Sequence, residues 1–538
     1  MLVAKTSLAP VWLVVALFLP ALIALAAAAL VLRARTVASG WRIARVASLV
    51  MVAASIALAA ARAASSDRTG ALVRSDVAGS VMLVLVAFVG WVVLRYSQAY
   101  IAGDARERQY AARMLATVGA VAVVVVANDL ILLAAAWAAT SLALHGLLTF
   151  FGDRPVAVAV AHKKFILART ADLAMVGAIV AFATAFETTR IDRVVAESVS
   201  ADTLPTGAII GIVLIALTAL LKCAQLPFHG WLIQVMEAPT PVSALLHAGV
   251  VNLGGFVLLR FAPVVDRVVV ARTALVVVGT LTAVIAALVM TTRVSVKVAL
   301  AWSTCAQMGF MLVQCGLGLW EMALLHLVAH SLYKAYAFLA AGSAVRQTQS
   351  KRLAPIRVGP TVGSLVAGVV AAAGGVLAAG WLWGRLPFGG APSAPIWLMG
   401  GVVALAVVPL LSAVHGRSWL ATGPSLLGGA FAVPVAYFAL HDLFARLVPD
   451  ASKPPAALLV FVGVSFLGLF VVQSLCAVAP DSRFVRAIYP WMYGGLFLDE
   501  YFTRVAFAVS APPAAHSRSA PLPTPHVVTI TIPIGTPS

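Results

Sequence analysis

His326, His330 and Lys334, within LLHLVAHSLYKAYAF, are titratable residues spaced by four in an otherwise apolar stretch. At about 100° per residue, that set drifts by roughly 80° over about 12 Å of helix and forms one polar stripe able to hold a row of waters. A lone core histidine is usually a satisfied structural residue. Three titratable groups on one stripe of an apolar helix instead mark a path for protons or ions. Histidine suits such a relay because it exchanges its proton near neutral pH.

A second constellation lies in LLKCAQLPFHGWLIQVMEAPTPVSALLHAGV, residues 220–250, where Lys222, His229, Glu237 and His247 surround prolines that interrupt a helix. Pro227 removes a backbone hydrogen bond and forces a bend or stop. Non-helical backbone at membrane depth is tolerated only inside protein or beside water, and broken helices recur at ion sites. Lys222, five residues before the break, can hold or release a proton as a neighbour changes; the alternative is a lysine snorkelling to the interface. Glu237 is the nearest acid in sequence, with exposure at a helix end as its other reading. His247, one turn after Ser243, is placed to link Lys222 to the histidine stripe. VKVALAWSTCAQMGFMLVQ adds Lys297, then Ser303, Gln307 and Gln314, which can order water or pack between helices.

No cofactor or metal is expected. The four cysteines, Cys223, Cys305, Cys315 and Cys476, form no CxxC pair and read as small buried hydrophobes. No zinc, haem or iron–sulfur spacing occurs, and no Gly-rich phosphate loop. The formal net charge of +18 does not imply nucleic acid, because the basic residues fall in short loops between apolar runs.

The elements that must position these groups are membrane spans. The chain is 62% hydrophobic and 10% charged, against about 25% charged in soluble proteins. Apolar runs recur at 8–32, 43–61, 78–95, 111–127, 129–151, 161–186, 205–236, 240–260, 270–291, 296–316, 322–343, 359–383, 395–414, 424–445 and 456–478. The pattern predicts an all-α polytopic membrane protein with about 13 to 16 transmembrane helices. The first run lacks a strong basic leader and reads as a span. Arg33, Arg35, Arg42, Arg45, Arg95, Arg106, Arg108, Arg113, Arg154, Lys163, Lys164, Arg346, Lys351, Arg352 and Arg357 all follow odd-numbered runs. Those loops are therefore expected on the cytoplasmic side and the N-terminus outside. The Pro- and Ser-rich tail 511–538 reads as disordered.

KCAQLPFHGWL at 222–232, MEAPTPVSALLHAG at 236–249, LAWSTCAQMGFM at 300–311 and HLVAHSLYKAYAFLAAGS at 326–343 together resemble the antiporter-like membrane subunits. That family is shared by respiratory complex I, Mrp-type cation/proton antiporters and inorganic carbon transporters, and the resemblance covers roughly 60–480. It implies two inverted five-helix repeats with discontinuous helices around a hydrophilic axis. The organisation implied is framing helices at 1–110, a first half at 111–260 broken near Pro227, a second half at 261–420, and C-terminal helices with an amphipathic segment at 421–510. By position, Lys222 matches the central lysine of the first half, His247 the linking histidine, and His326, His330 and Lys334 the HxxxHxxxK helix. Lys297 matches the lysine before the AxST motif and Asp172 an acid near the first helices of the repeat.

Departures from the family pattern matter too. The glutamate usual after an aromatic is Ala138 here, following Trp137 in AAAWAATSLALHG, and His145 is the nearest polar replacement. The lysine usual near the end of the second half is replaced by Gly384 in AGWLWGR, with Arg385 beside it. The candidate path is thus Lys222, His247, His326, His330, Lys334 and Lys297, with Glu237, His145, His229, Asp172 and Arg385 as possible partners. YPWMYGGLFLDEYFTRVAFAV at 489–509 resembles the C-terminal segment of DabB subunits of inorganic carbon transporters, with Asp499, Glu500 and Arg504 expected on a polar helix face. This implies a multi-pass subunit of the cell membrane that is not itself an enzyme. It would pass a cation, H⁺ as the resemblance implies although the sequence does not separate H⁺ from Na⁺, to energise a zinc-containing DabA-like partner that accumulates bicarbonate. The alternatives are a proton-translocating subunit of a quinone oxidoreductase or Mrp-type antiporter, and a membrane scaffold without transport.

Overall fold

The computed structural model describes residues 11–65, 67–343, 359–386, 390, 392–412, 419–448 and 453–510; the predicted tail lies outside them. Within these residues, thirteen helices are long and apolar enough to cross a membrane. They begin with α1 (Val11–Arg33), α2 (Val37–Ala63), α3 (Val77–Tyr100), α4 (Glu107–Val126), α5 (Leu130–Leu148) and α6 (Pro155–Phe186). A two-residue ribbon, β1 (Arg68–Thr69) against β2 (Arg74–Ser75), is antiparallel with Arg68 opposite Ser75. Local chemistry sets the helix starts. Thr36 and Ser39 form a capping box on α2, and Asp76 accepts from the Gly79 amide to cap α3. Asp129, expected within a span, instead caps α5 through the amides of Ile131 and Leu132.

After the short surface helix α7 (Ile191–Ser200), α8 (Thr206–Lys222) ends five residues ahead of the break expected at Pro227. The chain then runs through Ala224, at a left-handed φ of 53°, and Pro227 before α9 (Gly230–Gln234) resumes. The run 205–236 is therefore one span in two pieces. A second break was not anticipated: α10 (Thr240–Ala248) and α11 (Leu253–Arg260) are separated by a 3₁₀ turn at Val250–Asn252. Side chains satisfy much of the freed backbone: Cys223 Sγ donates to Val251 O at 3.1 Å, Asn252 Nδ2 to Ala248 O at 3.3 Å, and the Leu226 amide to Thr282 Oγ1 at 3.1 Å. That is the condition for irregular backbone at this depth.

The one-turn α12 (Ala262–Val265) leads to α13 (Val269–Met290), α14 (Val296–Gly316) and α15 (Trp320–Leu339). Gly279 and Gly309 let α13 and α14 cross closely; a Cβ on Gly279 would sit 2.7 Å from Gly309 O. One hydrophobic core joins α1 through α15, while α16 (Val362–Trp383), α17 (Ala394–Ser412), α18 (Trp419–Ala445) and α19 (Ala456–Val478) meet it through smaller clusters. Two amphipathic helices, α20 (Arg483–Tyr493) and α21 (Leu498–Val509), come last, separated by a kink at Leu496 and Phe497.

Candidate functional site

Lys222 closes α8 and its ammonium donates to Asp172 Oδ1 at 2.7 Å while lying 4.5 Å from the Trp137 ring centroid. Asp172 also pairs with Arg169 at 2.7 Å. Of the partners expected for Lys222, the acid on α6 is the one that meets it. Glu237 turns outward to Arg154 at 3.4 Å, since it ends a 3₁₀ turn at the helix break. His145 packs against Phe165 instead, the rings tilted with centroids 5.5 Å apart. His229 is buried, its Nδ1 3.3 Å from Pro227 O and its ring 4.9 Å from Trp302.

A neighbouring group was misassigned from sequence. Lys163 and Lys164, read as loop charges, lie buried inside α6, which starts at Pro155. Lys164 Nζ donates to Ser141 Oγ at 2.7 Å and Ser141 O at 3.0 Å. Between Lys164 and Lys222 lies a cavity lined by Trp137, Ser141, Leu144 and Trp231, large enough for water. The signal was available: Lys164 precedes Asp172 by the same eight residues that separate His326 from Lys334.

Along α15 the stripe is continuous. His326 Nδ1 lies 3.0 Å from Gln314 Oε1, and the His326 and His330 rings are 5.8 Å apart. Lys334, fully buried, donates to Ser303 Oγ at 2.7 Å and Leu300 O at 3.2 Å. Gln307, grouped with Ser303 and Gln314 from spacing, faces outward. His247 is fully buried, stacked on Phe338 at 4.5 Å. Neither of its ring nitrogens has a hydrogen-bond partner among the described residues, leaving capacity that water can use. It meets α15 through its backbone, His330 Nε2 lying 3.3 Å from His247 O, and Asn252 Nδ2 adds a bond to Ser331 Oγ at 2.8 Å. Lys297 donates to Thr240 Oγ1 at 2.6 Å, whose hydroxyl reaches Tyr100 at 3.3 Å.

Arg385 does not join this row; it is exposed and packs over Trp381 at 4.2 Å. The ionisable groups nearby are instead Glu321, His441 and Asp442. His441 lies 3.3 Å from Glu321 and 3.8 Å from Asp442, which accepts from Trp383 Nε1 at 2.7 Å.

The C-terminal helices reach the first half. Asp499, expected on a polar helix face, turns toward α6 and α9, accepting from Lys163 at 2.7 Å and Gln234 at 2.6 Å. Thr503 takes a second bond from Lys163 at 2.9 Å, and Phe228 packs on Phe502. A Cβ on Gly230 would overlap the Asp499 carboxylate. Arg293 holds the preceding helix by donating to Tyr493 O at 2.8 Å.

Comparison with known proteins identifies the family. Residues 127–376 match the family described as "NADH:quinone oxidoreductase/Mrp antiporter, TM". The chain is 43% identical over 431 residues to the "Probable inorganic carbon transporter subunit DabB" of Hydrogenovibrio crunogenus, covering 79% of this chain and 81% of that one. It is 36% identical to a DabB2 subunit of Halothiobacillus neapolitanus over 79% of this chain and 78% of that one. NADH-quinone oxidoreductase subunit L of Rhodobacter capsulatus is 33% identical over 52% of this chain and 42% of its own. Among solved structures, a chain of the Mrp complex from Dietzia sp. DQ12-45-1b shares the fold, with TM-score 0.57 and 24% identity over 92% of this chain and 55% of that chain.

Proposed function

The chain belongs to the antiporter-like membrane subunit family that includes the DabB inorganic carbon transporter subunits, and from that premise we propose that it conducts protons across the cell membrane to energise inorganic carbon uptake. Its partner is a DabA-type zinc-containing subunit that accumulates bicarbonate. Similarity to DabB subunits along about four-fifths of both chains, against half for the oxidoreductase subunit, supports carbon uptake over respiration.

The observation that carries the reading is the Lys222–Asp172 ion pair at the end of a broken helix, facing Lys164 across a cavity. Asp172 attracts the Lys222 ammonium, whereas positive charge arriving at Lys164 acts on it oppositely. Lys222 therefore has two arrangements, paired with Asp172 or turned toward the cavity, and passing charge biases it between them. His247 and the His326, His330 and Lys334 stripe continue the path, Lys297 serves as a further station, and His229 lies beside the break. Reconstitution with a DabA-type partner tests this: bicarbonate should accumulate under a proton gradient and cease with an uncoupler. Accumulation that persists with the uncoupler and follows a sodium gradient would overturn the proton assignment.

A further inference from the structure

At the end of the molecule opposite α20 and α21, a cleft away from the polar row is lined by Arg62, Arg74, Arg260 and Arg446 with Asp67 and Asp76. Four guanidinium groups against two carboxylates leave an excess of two positive charges around one space. The carboxylates are already engaged: Asp76 is shared by Arg74 at 2.8 Å and Arg260 at 2.7 Å, and Asp67 pairs with Arg62. Burial opposes ionisation of Asp76, but Arg260 and Arg74 hold its carboxyl below the usual range, so it remains a fixed anion. Neither acid has charge to spare for the remaining cations.

Excess positive charge around a partly enclosed cleft is relieved when a counter-charge with hydrogen-bond acceptors is supplied. Arg260 is buried, and its Nε has no acceptor among the described residues; the same holds for Arg62 Nε. Arg446, at the rim, is exposed and rotatable. Guanidinium forks match the oxygens of planar or tetrahedral oxyanions, which accept paired hydrogen bonds where chloride cannot. We propose that this cleft is an oxyanion-binding site, suited to bicarbonate or inorganic phosphate free in solution or to the phosphate of a lipid headgroup. It stands independently of the proton path, since none of its residues belongs to that row.

The test uses the full chain, purified and delipidated in detergent, with thermal unfolding followed against added ligand at constant ionic strength. One arm titrates bicarbonate and phosphate against chloride; the other adds phosphatidylglycerol against phosphatidylcholine. A saturable rise in Tm in either arm is expected, and the arm that responds identifies the source. Arg446→Gln should raise the half-saturating concentration about tenfold, the effect of losing one charge-assisted contact. Because Arg446 is exposed, that variant should fold; Arg74→Gln gives a second reading from the other wall. No saturable response in either arm, or midpoints unchanged in both variants, would overturn the proposal.

Discussion

Lys334 is fully buried and Lys222 nearly so, both on helices that flank the polar row, yet their surroundings differ in kind. Lys222 faces a carboxylate at 2.7 Å; Lys334 faces a serine hydroxyl and a backbone carbonyl, with the Tyr333 ring 5.7 Å away. Lys164 resembles Lys334, with Ser141 as its hydroxyl and carbonyl. One lysine thus carries a fixed counter-charge, while the other two meet neutral dipoles. A relay benefits from both, because a site that binds charge tightly must be able to release it to one that does not. The carboxylate comes from a different helix than the family pattern suggests, with Trp137 packed on the same ammonium and Ala138 where the usual acid would be.

The largest effect expected from breaking this contrast is at Asp172. Asp172→Asn leaves the Lys222 ammonium without its carboxylate and should cost about 2–3 kcal/mol of stability, less than for a fully buried pair because the Asp172 side chain is 21% exposed. Thermal unfolding in detergent should show a marked fall in Tm, and Asp172→Glu should recover part of it. The comparison sharpens with Lys334→Met. No carboxylate is orphaned there, so Tm should hold or rise while proton flux is lost; Lys222→Met should lower both.

A smaller effect belongs to the C-terminal helices. Asp499→Asn removes the counter-charge of buried Lys163 and should loosen α21, read as faster proteolysis within residues 494–510 and a several-fold fall in flux. Gly230→Ala should act alike by displacing the same carboxylate.

The smallest effect is at the surface, in Asp192 of α7. Burial raises its pKa, but hydrogen bonds from Arg190 and Asn128 outweigh that and leave it below the usual carboxylate value. A folded-state pKa that is depressed contributes stability present above the unfolded value and lost as pH falls through the folded one. Asp192→Asn should therefore lower Tm slightly at neutral pH and converge with the parent protein in acid.

Much of this was legible in the sequence, for identifiable reasons. The interruption after α8 followed from Pro227, although the helix stops five residues earlier, and the α15 stripe followed from a spacing of four, because proline chemistry and helical period are local. The break between α10 and α11 carried no proline and went unseen. The Lys222–Asp172 pair joins residues 50 apart, and Lys163 meets Asp499 across 336, so each depends on how helices pack. Lys163 and Lys164 were misread because two adjacent lysines near DRP look like a loop. The neighbouring helical register, which aligns Lys164 with Asp172, argued otherwise.

Proton flux into proteoliposomes containing Lys222→Ala or His330→Ala, measured with a pH-sensitive dye under an imposed potential, tests the conducting row most directly. Each substitution should reduce flux at least tenfold while the protein remains folded. Flux at the parent rate in both variants would contradict conduction along this row.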